Sequence, residues 1–480
     1  MIGVQVKKVS VTLPDEDVVE HHYLELPEGV TFISGTRLGY RKLLVRSCYP
    51  VIFDQWWINS DESSRRDIVL GTPGTGKSMF LFYALYRLAQ QGVKQVVFQF
   101  TNGSAALFEE NAVRIYERGD RAITCALGSR DTVYLCDGAK KGDFSGCLGP
   151  YILTSSPNPD VYSRAKKDFP LEPFVSPVCT LSEMLAVRLL VFSEILGVET
   201  VLCIYSIGGG VLRLLEEAVN TLRKGSTIDF AQRFELLAAA ANIDACRTAA
   251  EAGGSKGNQE SHSLFHFVPD ATNAREKTLK FGSEFIMNAF VKALLTKGRK
   301  KVVDFLVSSE ALPGFPSLRG VLYEGFAMTM LQAGGNFKCC KLTNTGRGLE
   351  HTVPVQRAAE KTFRQLEDVT EISNKTHNRP LSGTFESVDS FISREWLFQI
   401  TMASEHPVKI TGLNKLLARL AEMGDSGAVA RLFFVVPQQV YDAHYTECQK
   451  LLTKDGKACQ NPGAAGKVEQ YVMCVPITST

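Results

Sequence analysis

The chain has 480 residues, too many for one ordinary hydrophobic core, so two or three domains are expected. Apolar residues make up 45% and charged residues 22%, the balance of a folded soluble protein. A net charge of +2, from 53 basic and 51 acidic residues, excludes a globally basic nucleic-acid coat but leaves room for a local basic groove.

Residues up to about 60 read as short strands and turns ending in Phe53-Asp54-Gln55-Trp56-Trp57. For that aromatic cluster, packing against the next domain is preferred over a function. The N-terminal stretch Met1 to Pro14 alternates charged and apolar residues and has no secretory core. No apolar run approaches the ~20 residues of a membrane span, so no membrane partner is expected. The expectation is an intracellular protein, or one delivered by a route the sequence does not show.

A polar stretch from Asp61 to Arg66 opens a strand, Asp67 to Leu70. Helix-like apolar spacing follows from Ser78 to Ala89, then strands at Gln95–Phe100, Asp131–Cys136 and Tyr151–Leu153. Strands alternating with helices predict a parallel α/β sheet with right-handed crossovers. Between about 180 and 310 the pattern turns helical, as in Leu181–Leu196 and Phe281–Leu295, with a polar loop at Gly253–Glu260. From Phe315 a helix, a polar connection over about 343–383, and then strands and helices complete the chain. There is no internal repeat.

The twelve cysteines include no Cys-x-x-Cys pair, which zinc ribbons need to place two thiolates on one metal. Reduced, packed thiols are the expected state. His262 and His266 are spaced for one helix face but lack a third ligand, so packing is preferred over metal binding.

One motif carries clear chemistry. Gly71-Thr72-Pro73-Gly74-Thr75-Gly76-Lys77-Ser78 is a P-loop between a strand and an amphipathic helix. Its glycines allow the turns that aim backbone N–H groups at phosphate, and the helix N-terminus favours negative charge. Lys77 is assigned to the β- and γ-phosphates and the Ser78 hydroxyl to Mg²⁺. Asp137, ending the run Thr132-Val133-Tyr134-Leu135-Cys136, is expected to hold a Mg²⁺-bound water from a neighbouring strand. Gly138 stands where many hydrolytic ATPases carry a glutamate base, so hydrolysis is expected to be slow. Thr154-Ser155-Ser156 offers a phosphate-sensing hydroxyl or a turn, and Gly208-Gly209-Gly210 followed by Arg213 offers a cation for the phosphates.

A second constellation lies between 311 and 480. Leu318-Arg319-Gly320-Val321-Leu322-Tyr323-Glu324 opens a helix that carries an acid on a largely apolar surface. Ser387–Ile392 and Trp396–Thr401 read as a hairpin turning at Ser393-Arg394-Glu395. Asp389 then lies opposite Gln399 and Ser387 opposite Thr401, all on one face. Glu324, Asp389 and Gln399 form the skeleton of a PD-(D/E)xK nuclease core, in which two acids hold Mg²⁺ against a phosphate and a lysine steadies the hydroxide. The lysine position holds Thr401, and the nearest substitute in sequence is Lys409.

These motifs, in this order, resemble the nucleotidase–nuclease module shared by Crinkler-type effectors and retrotransposon hot spot proteins. The resemblance runs from about Leu43 to Val475. Its landmarks are Val45-Arg46-Ser47-Cys48-Tyr49-Pro50, the P-loop, Leu135-Cys136-Asp137-Gly138, Leu153-Thr154-Ser155-Ser156-Pro157 and Gly208-Gly209-Gly210. They continue with Gly320-Val321-Leu322-Tyr323-Glu324, Phe398-Gln399-Ile400-Thr401 and Phe434-Val435-Val436-Pro437. Two stretches depart from the family: Gly209-Gly210-Val211-Leu212-Arg213 keeps the arginine of Gly-Gly-x-Pro-Arg without its proline, and Val175-Ser176-Pro177-Val178 stands for Met-Pro-x-Trp. No Crinkler-like delivery header is visible.

The resemblance implies a signal-transducing P-loop NTPase that uses ATP or GTP with Mg²⁺ to gate an attached nuclease-like domain. Nucleic acid, DNA first, is the implied partner, and the host nucleus the implied destination of such an effector. The expected fold is α/β: an N-terminal segment to 60, a P-loop NTPase with a parallel sheet over 61–235, a helical connector over 236–310, and a restriction-endonuclease-like domain over 311–480. A homo-oligomer is compatible with this plan. The alternative is an NTPase switch whose C-terminal domain is catalytically dead and serves as a binding or scaffolding module.

Overall fold

Short β-branched and aromatic runs, bounded by glycine and polar turns, set the strands of the first half. The computed structural model describes residues 3–14, 17–32, 40–58, 65–110, 112–138, 146–156, 172–241, 261–270, 273–296, 298–308, 316–363, 365–380, 388–453, 455–459 and 461–478. The loop expected at Gly253–Glu260 and the pairing expected of Ser387 lie outside these residues. The chain divides into two units, Met1–Ala293 and Leu294–Thr480.

In the first unit, β1 (Gln5–Thr12), β2 (Val18–Glu25) and β3 (Lys42–Val45) form an antiparallel sheet. The chain then enters the helix Cys48–Phe53 and a π-helical turn, Asp54–Ile58. The aromatic cluster packs on the helix that follows the P-loop, as expected of it. Phe53 and Trp56 are wholly buried, and the Arg87 guanidinium lies 4.6 Å over the Phe53 ring while bonding Asp54 at 3.0 Å.

The main sheet contains β4 (Arg66–Leu70), β5 (Gln95–Gln99), β6 (Ala105–Glu109), β7 (Ala112–Tyr116), β8 (Thr132–Asp137), β9 (Tyr151–Ser155) and β10 (Phe174–Val175). Their order is β10-β4-β9-β8-β5-β6-β7. The strands from β10 to β5 are parallel, as the alternation of elements predicts. The edge differs: β6 and β7 run antiparallel. Phe100 to Ser104 is too short for a parallel crossover, and Gly103 turns there at φ +94.

The section from 180 onward is helical at Leu181–Val187, Val198–Gly208, Leu212–Arg223, Phe230–Ala240 and Glu284–Thr296. It also holds an antiparallel hairpin, β11 (Phe265–Pro269) and β12 (Lys277–Phe281), so Phe281 ends a strand rather than opening a helix. Five-residue strands of this kind carry too little alternation to be separated from helical surroundings.

The second unit begins with the helices Arg299–Ser308 and Pro316–Ala333. Its strands are β13 (Gly335–Thr343), β14 (Gly346–Arg347), β15 (His351–Val355), β16 (Ala359–Phe363), β17 (Thr376–Pro380), β18 (Ser390–Ser393), β19 (Trp396–Ile400), β20 (Val408–Lys409), β21 (Arg431–Val436), β22 (Leu451–Leu452) and β23 (Glu469–Cys474). One mixed sheet runs β14-β13-β23-β21-β19-β18-β17-β16, with β15 also on β13, while β20 and β22 pair apart. The stretch expected to be a polar connection over 343–383 therefore contains four strands, β14 to β17. Their residues are largely polar: in β15 and β16 only Val355 and Phe363 are buried, and in β17 the buried residues are His377 and Asn378, so no hydrophobic pattern betrays them. The hairpin β18–β19 forms with Ser390 facing Phe398, the expected register, but its turn is shorter than expected: Ser393 is a strand residue paired with Trp396, and a bulge between Phe391 and Ser393 absorbs the extra residue. Helix Pro316–Ala333 packs on β19, and helix Ile410–Glu422 buries Leu413, Leu416, Leu417 and Leu420 in the core of this unit.

Candidate functional site

In the first unit β4 ends at Leu70, and the chain turns through Gly71–Gly76 before Lys77 opens the helix Lys77–Gln90. Gly74 and Gly76 hold φ of +84 and +90, values that favour glycine. A Cβ at Gly74 would also sit 2.6 Å from the Cβ of Arg213, whose backbone N–H donates to the Gly74 carbonyl at 3.3 Å. The loop closes on itself: Thr75 Oγ1 donates to the Thr72 carbonyl at 2.9 Å, and Lys77 Nζ donates to the carbonyls of Gly71 (2.7 Å) and Thr72 (2.9 Å). Pro73 lies between them at the bend, and Ser78 follows in the first turn of the helix. The residues from Gly71 to Ser78 and Arg213 are thus brought together.

Burial pulls the Lys77 ammonium down to about 7; Arg213 and Arg46 push the same way, against the Asp137 carboxylate. Asp137 ends β8, where its Oδ1 accepts the Thr154 hydroxyl at 2.8 Å. The strand bearing Asp137 is not the immediate neighbour of the P-loop strand, contrary to expectation. β9 lies between them, with Leu70 level with Ser155 and Asp137 level with Thr154. Thr154 and Ser155 are consequently strand residues rather than a turn. The Ser155 hydroxyl is buried without a hydrogen-bond partner among the described residues. Oxygen donors of this kind suit a hard cation beside phosphate, and Thr154 engages only one oxygen of Asp137.

The Gly208–Gly210 triplet has a spatial cause. A Cβ at Gly210 would sit 1.7 Å from the Cys179 carbonyl oxygen, so only glycine lets these backbones meet and brings Arg213 to the loop.

Sequence reasoning singled out the stretch holding Arg46 and Tyr49 but gave no role to the groups that hold the loop from behind. Arg46 is buried, and its guanidinium donates to the carbonyls of Thr75 (2.6 Å), Pro177 (2.9 Å) and Val178 (2.8 Å) and to Glu183 Oε2 (3.0 Å). Tyr49 donates its hydroxyl to the Gly76 carbonyl at 2.7 Å. Glu183 closes a capping box with Thr180 and accepts from Ser47. Despite burial, Arg46 and these donors hold its carboxyl below the usual range. The capping pattern Thr180-x-x-Glu183 was readable, but nothing in it pointed to the P-loop. His266 is likewise not on a helix face with His262: it lies in β11, its Nδ1 2.8 Å from the Thr72 hydroxyl.

In the second unit, hairpin register sets Asp389 beside Gln399, whose Nε2 donates to Asp389 Oδ2 at 2.9 Å. The Ile400 backbone N–H donates to the same oxygen at 2.6 Å. Burial, then the Glu324 carboxylate, lifts the Asp389 carboxyl to about 7, against Ile400, Arg379 and Gln399. Gln399 Oε1 is buried without a hydrogen-bond partner among the described residues. Glu324 pairs with Arg379 at 3.1 Å. The acids and the glutamine are thus close together, and a residue unforeseen from sequence, Arg379 of β17, supplies the nearby cation. Thr401 Oγ1 instead accepts the Ala403 N–H at 3.0 Å, and Lys409 is exposed on β20. Among the described residues no three His, Cys, Asp or Glu side chains cluster as a metal site, so a cation here would rely on two carboxylates and an amide oxygen.

Two curated proteins match this chain over most of its length. The chain is similar to Crinkler effector proteins. Crinkler effector protein 16 of Phytophthora infestans is 24% identical over 414 residues, covering 84% of this chain and 63% of that protein. Crinkler effector protein 15 of the same organism is also 24% identical over 414 residues, covering 84% and 64%. The chain therefore spans less than two thirds of the length of these relatives. No family model matches it. Among solved structures, Cdc6p from Pyrobaculum aerophilum aligns at 12% identity over 52% of this chain and 93% of its own, with a TM-score of 0.25, too low to establish a common fold. No helix among the described residues is long and apolar enough to cross a membrane.

Proposed function

We propose that the chain binds ATP or GTP with Mg²⁺ at the P-loop, hydrolyses it slowly, and uses it to gate a C-terminal nuclease-like domain acting on nucleic acid, DNA first. On this reading 61–235 is the NTPase domain, 236–310 a connector and 311–480 the nuclease-like domain. Likeness to Crinkler effectors supports an effector acting in a host cell; the nucleus is its proposed destination.

The observation that carries the nucleotide reading is the position of Lys77. Its amine is buried against two carbonyls of its own loop, with Arg213 beside that loop. A triphosphate would replace those carbonyl contacts with charged ones and draw Arg213 to the same phosphates. Mg²⁺, held by Ser78 and Asp137, would neutralise phosphate charge. Thr154 fixes the Asp137 carboxylate, and Ser155 offers a buried hydroxyl level with the end of β4. Lys77→Ala should lower triphosphate affinity by roughly 1.5–3 kcal/mol. Calorimetry giving the same affinity for both proteins would end this assignment.

The unpartnered Gln399 Oε1 beside Asp389 supports the nuclease reading. Glu324, Asp389 and Gln399 would hold Mg²⁺ or Mn²⁺, which would polarise a phosphodiester and its attacking water. Plasmid nicking that needs metal and is lost in Asp389→Ala supports an active nuclease. Thr401 in the lysine position favours a second reading, a catalytically dead binding module, for which no nicking would be seen in either protein.

A further inference from the structure

Beside the acid pair of the second unit lies an open cleft of about 650 Å³, walled by the end of helix Pro316–Ala333 and the segment leading into β16. Thr329, Gln332, Gln356, Arg357 and Lys375 supply its polar lining among the described residues, and the exposed Glu360, bonded to Gln332, lies next to it. Arg357 and Lys375 are exposed, and neither has an ion-pair partner among the described residues. The walls are pinned by backbone bonds: Ala358 N donates to the Gln332 carbonyl at 3.1 Å and Ala359 N to the Lys375 carbonyl at 2.8 Å. At the Gly334 bend, φ +74, a Cβ would sit 2.7 Å from the Arg357 nitrogen, so only glycine fits.

A polar chain links this cleft to the acids. Gln332 Nε2 donates to Glu360 Oε2 at 2.7 Å, Arg379 Nη1 lies 4.0 Å from that oxygen, and Arg379 Nη2 bonds Glu324 at 3.1 Å. Along the helix, Thr329 and Gln332 lie roughly 7–12 Å beyond Glu324. Phosphates of one DNA strand advance about 3.4 Å each along the axis, so the cleft falls about two to three phosphates from the acids.

We infer that this cleft seats the phosphodiester backbone of a nucleic-acid strand, with Arg357 and Lys375 as phosphate contacts, and so delivers the strand to Glu324 and Asp389. Two cations with amides and a hydroxyl are the donor set that positions a backbone without reading its sequence. A near-neutral chain needs such a local site, since its overall charge attracts no polyanion. The inference rests on the nuclease reading for its substrate but is tested apart from cleavage.

The test is fluorescence anisotropy of a labelled DNA in EDTA, with circular dichroism to confirm folding. Arg357→Ala/Lys375→Ala should bind on the order of tenfold more weakly, and its salt slope should fall by about two ions. Arg357→Lys/Lys375→Arg should keep most of the affinity. Wild-type affinity and slope in the double alanine variant would overturn the inference, as would equal binding of polyglutamate and DNA by the wild type. Binding that depends on Arg357 and Lys375, without any metal-dependent nicking, would leave the cleft standing and remove the nuclease reading alone.

Discussion

Arg46 and Glu183 form a buried ion pair, Nε to Oε2 at 3.0 Å, across 137 residues of sequence. Because Arg46 also bonds the Thr75 carbonyl, the pair fixes the P-loop to the segment after β3 and to the helix Leu181–Val187. Removing one partner strands the other charge in the interior, at a cost of about 3–5 kcal/mol. Glu183→Gln and Arg46→Met should each lower the unfolding free energy by that order. Arg46→Met/Glu183→Gln should cost less than the sum of the two. Denaturant titration of the three variants checks this, and strictly additive losses would show that the pair does not act as a unit.

Lys77 predicts proton uptake on nucleotide binding. At about 7 its ammonium lies well below the ordinary 10.5, mainly through burial. In that window the unfolded chain holds more protons, so Lys77 makes the nucleotide-free fold more stable as pH rises. Phosphate beside the amine restores its charge, so binding near pH 7 should take up about half a proton and weaken as pH rises. Calorimetry in buffers of different ionisation enthalpy reads the uptake directly, and Lys77→Ala should abolish it.

Turnover should be slow. Gly138 follows Asp137 at φ +89 and carries no side chain to act as a base. Steady-state phosphate release is expected well below the typical median of about 10 s⁻¹. Tens of turnovers per second would mean that another residue supplies the base.

The P-loop was legible because its chemistry is local: eight consecutive residues build the loop, and apolar spacing places a helix after it. The strand ending at Asp137 was legible for the same reason, but the position of β9 between it and β4 was not, since strand order is a tertiary property. Arg46 and His266 were invisible as P-loop partners because they reach it over 29 and 194 residues, and Glu183 because it acts through Arg46, over 137 residues; nothing in their neighbours records these contacts. In the second unit, Asp389 does lie beside Gln399, but the expected turn Ser393-Arg394-Glu395 is not what sets that register: Ser393 pairs with Trp396, and a bulge after Phe391, which no residue pattern announced, makes up the difference. Arg379 was missed because it lies on β17, a strand hidden inside a polar stretch with no alternation to reveal it.

Asp389 should make cation binding depend on pH. Its carboxyl titrates at about 7, against an ordinary 3.8, because of burial and then Glu324. Between those values the folded chain holds the extra proton, so this group's contribution to stability is lost as pH rises toward 7. A cation needs the carboxylate, so Mn²⁺ affinity should climb up to about tenfold per pH unit below 7 and level off above it. Titrations between about pH 5.5 and 8 check the trend, and Asp389→Asn should flatten it.

Arg379, not a lysine, is the cation placed to assist the acids. Lysine is absent at Thr401, whose hydroxyl is occupied by Ala403 N–H, and the substitute nearest in sequence, Lys409, is exposed on β20. Arg379 is placed quite differently: it bonds Glu324 at 3.1 Å and acts on Asp389 electrostatically. A guanidinium stays charged at any working pH and can hold a carboxylate with one nitrogen while offering another to phosphate. If the domain cleaves DNA, Arg379→Ala should cut the rate on the order of 10² to 10³-fold, as for loss of one preorganised donor. Arg379→Lys should recover part of that, since the charge survives but the fork does not. Lys409→Ala should nick plasmid at the wild-type rate. Equal loss in Arg379→Ala and Lys409→Ala would show that both reach the phosphate, and loss only in Lys409→Ala would remove Arg379 from the site.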